Sequence, residues 1–169
     1  MNQVFEKYVE AVLRQALESR GGGRVDGQRE THLDEADTVL MKPDVTWWSG
    51  DRCLAVIDAK YKRTTSDDYP NADAYQMLAY CTRLGLRRGV LVYADVVGQP
   101  GDPTIVRNAG IEIVTTALTL GGSIDDLRLS GEALAALVCA GTSSAYWFAG
   151  RSLAAQSLTP ADDHVCQPI

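Results

Sequence analysis

Only two histidines and four cysteines occur in this chain of 169 residues. Cys53, Cys81, Cys139 and Cys166 lie far apart, and no pair has CxxC spacing. With His32 and His164 as the available nitrogen ligands, a Cys/His zinc centre has no framework. The first three cysteines read as reduced core thiols and Cys166 as a tail thiol. No apolar run approaches the roughly 20 residues that cross a bilayer. The opening MNQVFEKYVE lacks the basic-then-apolar order of a secretory signal. These absences set the expectation of a cytoplasmic protein without a membrane segment. Positive charge is also in short supply. Lys and Arg number 16 against 22 Asp and Glu, a formal net charge of −6. Phosphate contacts supply most nonspecific affinity for DNA, so the chain is poorly suited to wrapping DNA unaided. It is compatible with an enzyme whose carboxylates hold a metal and whose DNA contacts come from local basic patches or a partner.

What is present is enough for one compact domain with a core, since 46% of the residues are hydrophobic. Val4 to Ser19 carries Phe5, Val9, Val12, Leu13 and Leu17 on one helical stripe, and the following glycines end it. That glycine triplet lacks the Lys-Ser or Lys-Thr of a phosphate loop and reads as a turn. Val25 to Gln28 reads as a short strand and Glu30 to Asp37 as a polar loop. Val39 to Trp48 reads as a strand with Pro43 inside it, which implies a bulge or an edge. After a turn at Ser49-Gly50-Asp51, Cys53 to Tyr61 is the strongest strand. Asn71 is placed to cap a helix to about Leu84. Gly89 to Ala94 and Ile111 to Thr115 read as strands, and Leu127 to Ala140 as a helix whose start Gly131 weakens. The expected fold class is α/β, a central mixed sheet flanked by helices. Residues 1–150 form the expected domain, and 151–169 a loose tail.

Chemistry concentrates around Asp44, Asp58 and Lys60. Residues two apart on a strand share a face, so Asp58 and Lys60 project together. A short turn between adjacent strands brings Asp44 towards Asp58. Two carboxylates and one ammonium in a small volume suit phosphodiester hydrolysis. Magnesium takes one or two protein carboxylates plus water, and a bound metal acidifies that water. An Asp-x-Lys triplet alone is usually a surface ion pair of little worth. Here it follows the apolar run Leu54-Ala55-Val56-Ile57, where ionised groups are costly unless paired or metal-bound. Glu6 borders the stripe of the first helix and could reach inward as a further metal or water ligand, although such a Glu is more often solvated. Gln76 and Tyr80 share a helical face. They read equally as a satisfied buried pair or as a pair that contacts substrate phosphate or supports the metal site.

Together, Phe5-Glu6, Lys42-Pro43-Asp44, the string DAKYK from Asp58 to Lys62, and DAYQMLAY from Asp73 to Tyr80 resemble the nuclease domain of the McrC family. McrC is the cleavage subunit of the McrBC 5-methylcytosine restriction system. The PD, DxK and QxxxY elements also fit the RecB-like branch of PD-(D/E)xK nucleases. The resemblance covers roughly residues 4–120. It implies Asp44, Asp58 and Glu6 as metal ligands, Lys60 as the catalytic lysine, and Gln76 and Tyr80 as the QxxxY pair. It implies magnesium, with manganese able to substitute, and DNA cut on both strands by paired subunits, hence a homodimer or pairing on DNA. McrC proteins carry an N-terminal region that engages the GTP-driven motor McrB, whereas here the nuclease-like part begins with Phe5-Glu6. The expectation is therefore a standalone or shortened relative, which by itself does not recognise the modified base.

Lys62 and Arg63 are the favoured substrate contacts beside Lys60, ahead of Arg83, Arg87 and Arg88. Of Trp47 and Trp48, at most one is available to stack on a base, since adjacent strand residues face opposite ways. Two other function classes fit less well. A catalytically inactive nuclease-fold module binding DNA or a motor has no need for buried like charges. A glycosidase with two carboxylates has no use for Lys60 beside Asp58.

Overall fold

The computed structural model describes residues 2–19, 22–61, 71–94 and 102–142. Helix α1 (Asn2–Ser19) buries Phe5, Val9, Leu13 and Leu17, one residue per turn on one side. Strands β1 (Arg24–Gly27), β4 (Val45–Ser49) and β5 (Arg52–Lys60) form an antiparallel meander. Helix α2 (Asn71–Leu84) then leads into β6 (Arg88–Ala94), which lies parallel to β5. The chain closes with β7 (Thr104–Val106), β8 (Ile111–Leu118) and helix α3 (Ile124–Ala140). The main sheet has the order β1-β4-β5-β6-β8-β7, with parallel pairs at its centre and antiparallel pairs at its edges. It is the expected α/β mixed sheet flanked by helices.

The expected strand from Val39 to Trp48 is two strands. Leu40–Met41 (β3) pairs with Thr31–His32 (β2) in a separate ribbon, and β4 begins at Val45. Pro43 has no N–H to donate, so the ladder stops on either side of it. Asp44 therefore sits just before a strand and not within one. The stretch from Glu30 to Asp37, read as a polar loop, contains β2 as well as the start of the turn into β3. Asp34 closes it, its carboxylate accepting from the N–H groups of Thr38 and Val39 at 3.0 and 2.8 Å. β7 is an exposed three-residue edge strand that the sequence reading passed over.

Two apolar layers sandwich the sheet. Ala55, Ile57 and Ala59 of β5 face α1 and α3, whereas Val56 faces α2 with Met77, Tyr80 and Cys81. Gly131 is buried, and a Cβ there would overlap Val12, so it lets α3 close onto α1. α3 starts before the expected Leu127, because Ser123 and Asp126 form a reciprocal capping box. Gly89 of β6 lets α2 close onto the sheet, since a Cβ there would strike Met77 and Cys81. Burial holds Cys53 and Cys81 as protonated thiols, each pushed up to about 12. Among the described residues, no helix is long and apolar enough to cross a membrane.

Candidate active site

Strand alternation puts Val56, Asp58 and Lys60 on the α2 face of β5. Asp58 is 2% exposed there, at the end of the buried run. The β4–β5 register pairs Val45 with Ile57, which leaves Asp44 opposite Asp58 just beyond the last paired residues. Asp44 is held in place by its own side chain, since Oδ2 accepts from the Ala59 N–H at 2.8 Å. Lys60 Nζ lies 2.5 Å from Asp58 Oδ2. That buried oxygen has this ionic neighbour but no directed hydrogen bond.

The electrostatics follow from burial. Desolvation, and then the charge of Asp58, push Asp44 up to about 7, against the opposing Ala59 N–H and Lys60. Glu6 adds a smaller upward push. Asp58 is also raised, by desolvation first, with Lys60 pulling the other way. Burial alone would lower Lys60, but the surrounding carboxylates, Asp58 foremost, outweigh it and keep the ammonium charged. The site thus holds carboxylates whose joint ionisation is opposed by their surroundings, a common state of functional clusters.

α2 supplies the support for Lys60. Its Nζ donates to Gln76 Oε1 at 2.9 Å, and Gln76 Nε2 donates to the Tyr80 hydroxyl at 2.7 Å. The Lys42 N–H in turn donates to the Tyr80 hydroxyl, and burial raises that hydroxyl to about 12, so it stays neutral. The sequence left Gln76 and Tyr80 open between a bland buried pair and a site pair. They form a chain that runs from the backbone beside Pro43 to the Lys60 ammonium.

Glu6 is not gathered with the other carboxylates as a third ligand. Its Oε2 accepts from Gln28 Nε2 at 3.0 Å. Gln28 has a left-handed backbone, φ 50°, and its N–H donates to the Asp44 carbonyl at 2.9 Å. Among the described residues, no three His, Cys, Asp or Glu side chains cluster tightly enough to hold a metal, so the carboxylate pair is Asp44 and Asp58. Sequence reasoning missed Gln28, which joins Glu6 to the Asp44 backbone and carries no motif. It also missed Asp73, 4% exposed on α2, whose Oδ2 accepts from the Tyr93 hydroxyl at 2.9 Å. Tyr93 is the register partner of Lys60, so Asp73 lies behind the site and its charge favours the Lys60 ammonium. Asp73 lies in the first turn of α2, where an acidic residue is ordinary, so the sequence carried no signal for it.

Lys62 and Arg63 lie outside the described residues. Arg88 sits at the far end of β6 from Tyr93 and pairs with Glu112 at 3.1 Å, and Arg87 is its neighbour there. Neither is at the site. Trp47 is buried against α1, and Trp48 is half-buried on the opposite face. The expected division between the two tryptophans is what the strand produces.

A family described as McrBC 5-methylcytosine restriction system component matches residues 1–94, the stretch that carries all of these groups. The chain belongs to this McrBC family. Among solved structures it is similar to a chain of a refined half-complex from the tetradecameric assembly of Thermococcus gammatolerans McrB AAA+ hexamers with bound McrC. The TM-score is 0.63 at 19% identity, over 81% of this chain and 33% of that one. At that identity the likeness is one of fold, and this chain spans about a third of its neighbour's length. No curated protein matches it.

Proposed function

We propose that this McrBC-family chain is a metal-dependent DNA endonuclease of the PD-(D/E)xK type, acting in restriction of foreign DNA. The observation that carries the reading is the buried set Asp44, Asp58 and Lys60, with Asp58 Oδ2 lacking a directed hydrogen bond. A divalent cation fits this pair. It would offset the mutual repulsion of the carboxylates and add a contact to the buried Asp58 oxygen beside that of Lys60, and magnesium needs no third protein carboxylate. Manganese, with the same preference for oxygen, would substitute. When bound, the metal supplies an acidified water and a Lewis acid at the phosphoryl oxygen. The chain's own groups do the rest. Asp44 and Asp58 hold the cation, with the Ala59 N–H fixing the rotamer of Asp44. Lys60, held by Gln76, presents its ammonium where charge builds on the phosphate. Glu6, whose charge acts on Asp44, would orient a water. Lys62 and Arg63, adjoining Lys60 in sequence, are proposed phosphate contacts.

The test is plasmid cleavage with and without magnesium, paired with calorimetry. Wild type should bind the metal and cut, and Asp58→Ala should bind it more weakly. Equal metal binding by the two would remove Asp58 as a ligand.

A McrB-like GTPase motor is the proposed partner, because the structural neighbour belongs to an assembly of McrB hexamers with bound McrC. In this reading the motor, not this chain, reads the modified base. One site cuts one strand at a time, so a double-strand break needs two copies, most simply as a symmetric homodimer. Sedimentation of the chain with and without duplex should show two copies on cleavable DNA. Concerted linearisation by a species that stays monomeric on DNA would rule out pairing.

A further inference from the structure

Beside the active site, on the same face of the sheet, lies a cavity of about 180 Å³. It is lined by Arg29, Glu30, Thr31, Thr46, Trp48 and Arg83, together with Pro43, which directly precedes Asp44. Thr46 and Trp48 follow Asp44 by two and four residues along β4. At 3.2–3.4 Å per residue the backbone at Thr46 and Trp48 lies about 7 and about 13 Å along the strand from that of Asp44, and Pro43 brings the near wall of the cavity next to it.

Of the charged residues lining the cavity, two are arginines, Arg29 and Arg83, and one is acidic, Glu30. Asp26 is shared between Arg24 at 2.8 Å and Arg29 at 3.1 Å, and Glu30 pairs with Lys42 at 3.2 Å. Arg83 donates Nε to the His32 carbonyl at 2.6 Å, one of five donors on a guanidinium. Trp48 is fixed by its indole N–H, which donates to Thr46 Oγ1 at 2.8 Å. The Arg29 guanidinium carbon lies 4.3 Å from the Trp48 ring centroid. An arginine stacked on a ring is pre-organised, so it loses little freedom on meeting a phosphate. Arg29 comes from the segment after β1 and Arg83 from the last turn of α2, so two separate elements deliver guanidinium groups to one polar hollow.

We propose that this cavity is a phosphate subsite for the nucleic-acid strand flanking the scissile bond, with Arg29 and Arg83 as its anion-binding groups and Trp48 as the platform that holds Arg29. The inference rests on the nuclease reading and names where that enzyme grips its substrate. Its ligand is the backbone phosphodiester, so the subsite would add affinity without sequence preference.

The test uses the full chain without metal and a labelled duplex oligonucleotide, with affinity followed as a function of salt. Each phosphate contact contributes about 0.9 to the slope of log K against log salt. Arg29→Gln with Arg83→Gln should weaken binding at least ten-fold at low salt and lower that slope by about 1.8, or two contacts. Arg29→Lys should keep the slope while losing the stack on Trp48, and with it part of the affinity. An unchanged slope and affinity in the folded double variant overturns the subsite, as does failure of the unsubstituted chain to bind duplex at low ionic strength. The nuclease reading is decided separately. Magnesium-dependent plasmid cleavage by wild type sustains it whatever the double variant does, and absence of cleavage removes it even if the salt slope behaves as expected.

Discussion

In metal-free protein, raising the pH from about 4 to above 7 is expected to erode stability through Asp44, and saturating magnesium to restore it. Asp44 is pushed up from 3.8 to about 7 in the folded chain, by burial and by Asp58. Between these values the native state keeps a proton that the unfolded chain has released. The native state then binds more protons, so stability falls as pH rises across that window. Discounted for solvent screening at a half-buried group, the loss is on the order of 1–2 kcal/mol. Magnesium binding only the folded state, at a hundred times its dissociation constant, returns about 2.7 kcal/mol. Asp44→Asn isolates the effect, because the amide oxygen can still accept from the Ala59 N–H while the charge is gone. Above pH 7 in chelator the variant should melt higher than wild type, and added magnesium should not raise its midpoint. Any residual slope in the variant belongs to Asp58, which shifts in the same direction. A wild type and variant that differ equally at every pH would show that Asp44 does not titrate with the site. A full magnesium response in Asp44→Asn would remove it as a ligand.

Much of this site could be read before folding, and the reasons are local. Asp58 and Lys60 follow four apolar residues, so strand alternation alone puts them on one face at the end of a buried run. Gln76 and Tyr80 are one helical turn apart, and a Gln inside an apolar helix needs a partner. The Asp44–Asp58 pairing required only a short turn between neighbouring strands. The break at Pro43 was misread because a lone proline signals either a bulge or an end, and what decided it was the separate pairing of Leu40–Met41 with Thr31–His32. Strand pairing is long-range information that periodicity does not hold. The same limit hid Gln28. Its role depends on a left-handed backbone that sets its side chain against Glu6 and its N–H against the Asp44 carbonyl. Glu6 was correctly singled out as bordering the helix stripe. How far it stops short of the carboxylate pair depends on how α1 docks on the sheet, which no stripe specifies.

The substitution with the largest expected effect is at Lys60. Removing one preorganised donor from a charge-stabilising site typically costs about 10²–10³ in rate, and Lys60→Ala should lose at least that much cleavage. The loss should fall on the chemical step in single-turnover reactions and leave ground-state DNA binding largely intact. Metal binding should hold or tighten, because a positive charge beside Asp58 has gone. Lys60→Met retains most of the stem volume, so it guards against a packing defect in a side chain that is 18% exposed. Lys60→Arg should also fail. The ammonium fits between Asp58 Oδ2 at 2.5 Å and Gln76 Oε1 at 2.9 Å, a space matched to a compact cation and not to a planar fork. Gln76→Ala should reduce cleavage less than Lys60→Ala, since Gln76 acts by holding Lys60. If Lys60 and Asp58 were only a structural ion pair, the order would invert, with Lys60→Arg nearly silent and Lys60→Ala costing stability alone. Cleavage rates and thermal midpoints for these variants separate the two cases. Retained cleavage in folded Lys60→Ala would leave Asp44 and Asp58 as a metal pair without a catalytic lysine, and the endonuclease assignment would lose its strongest support.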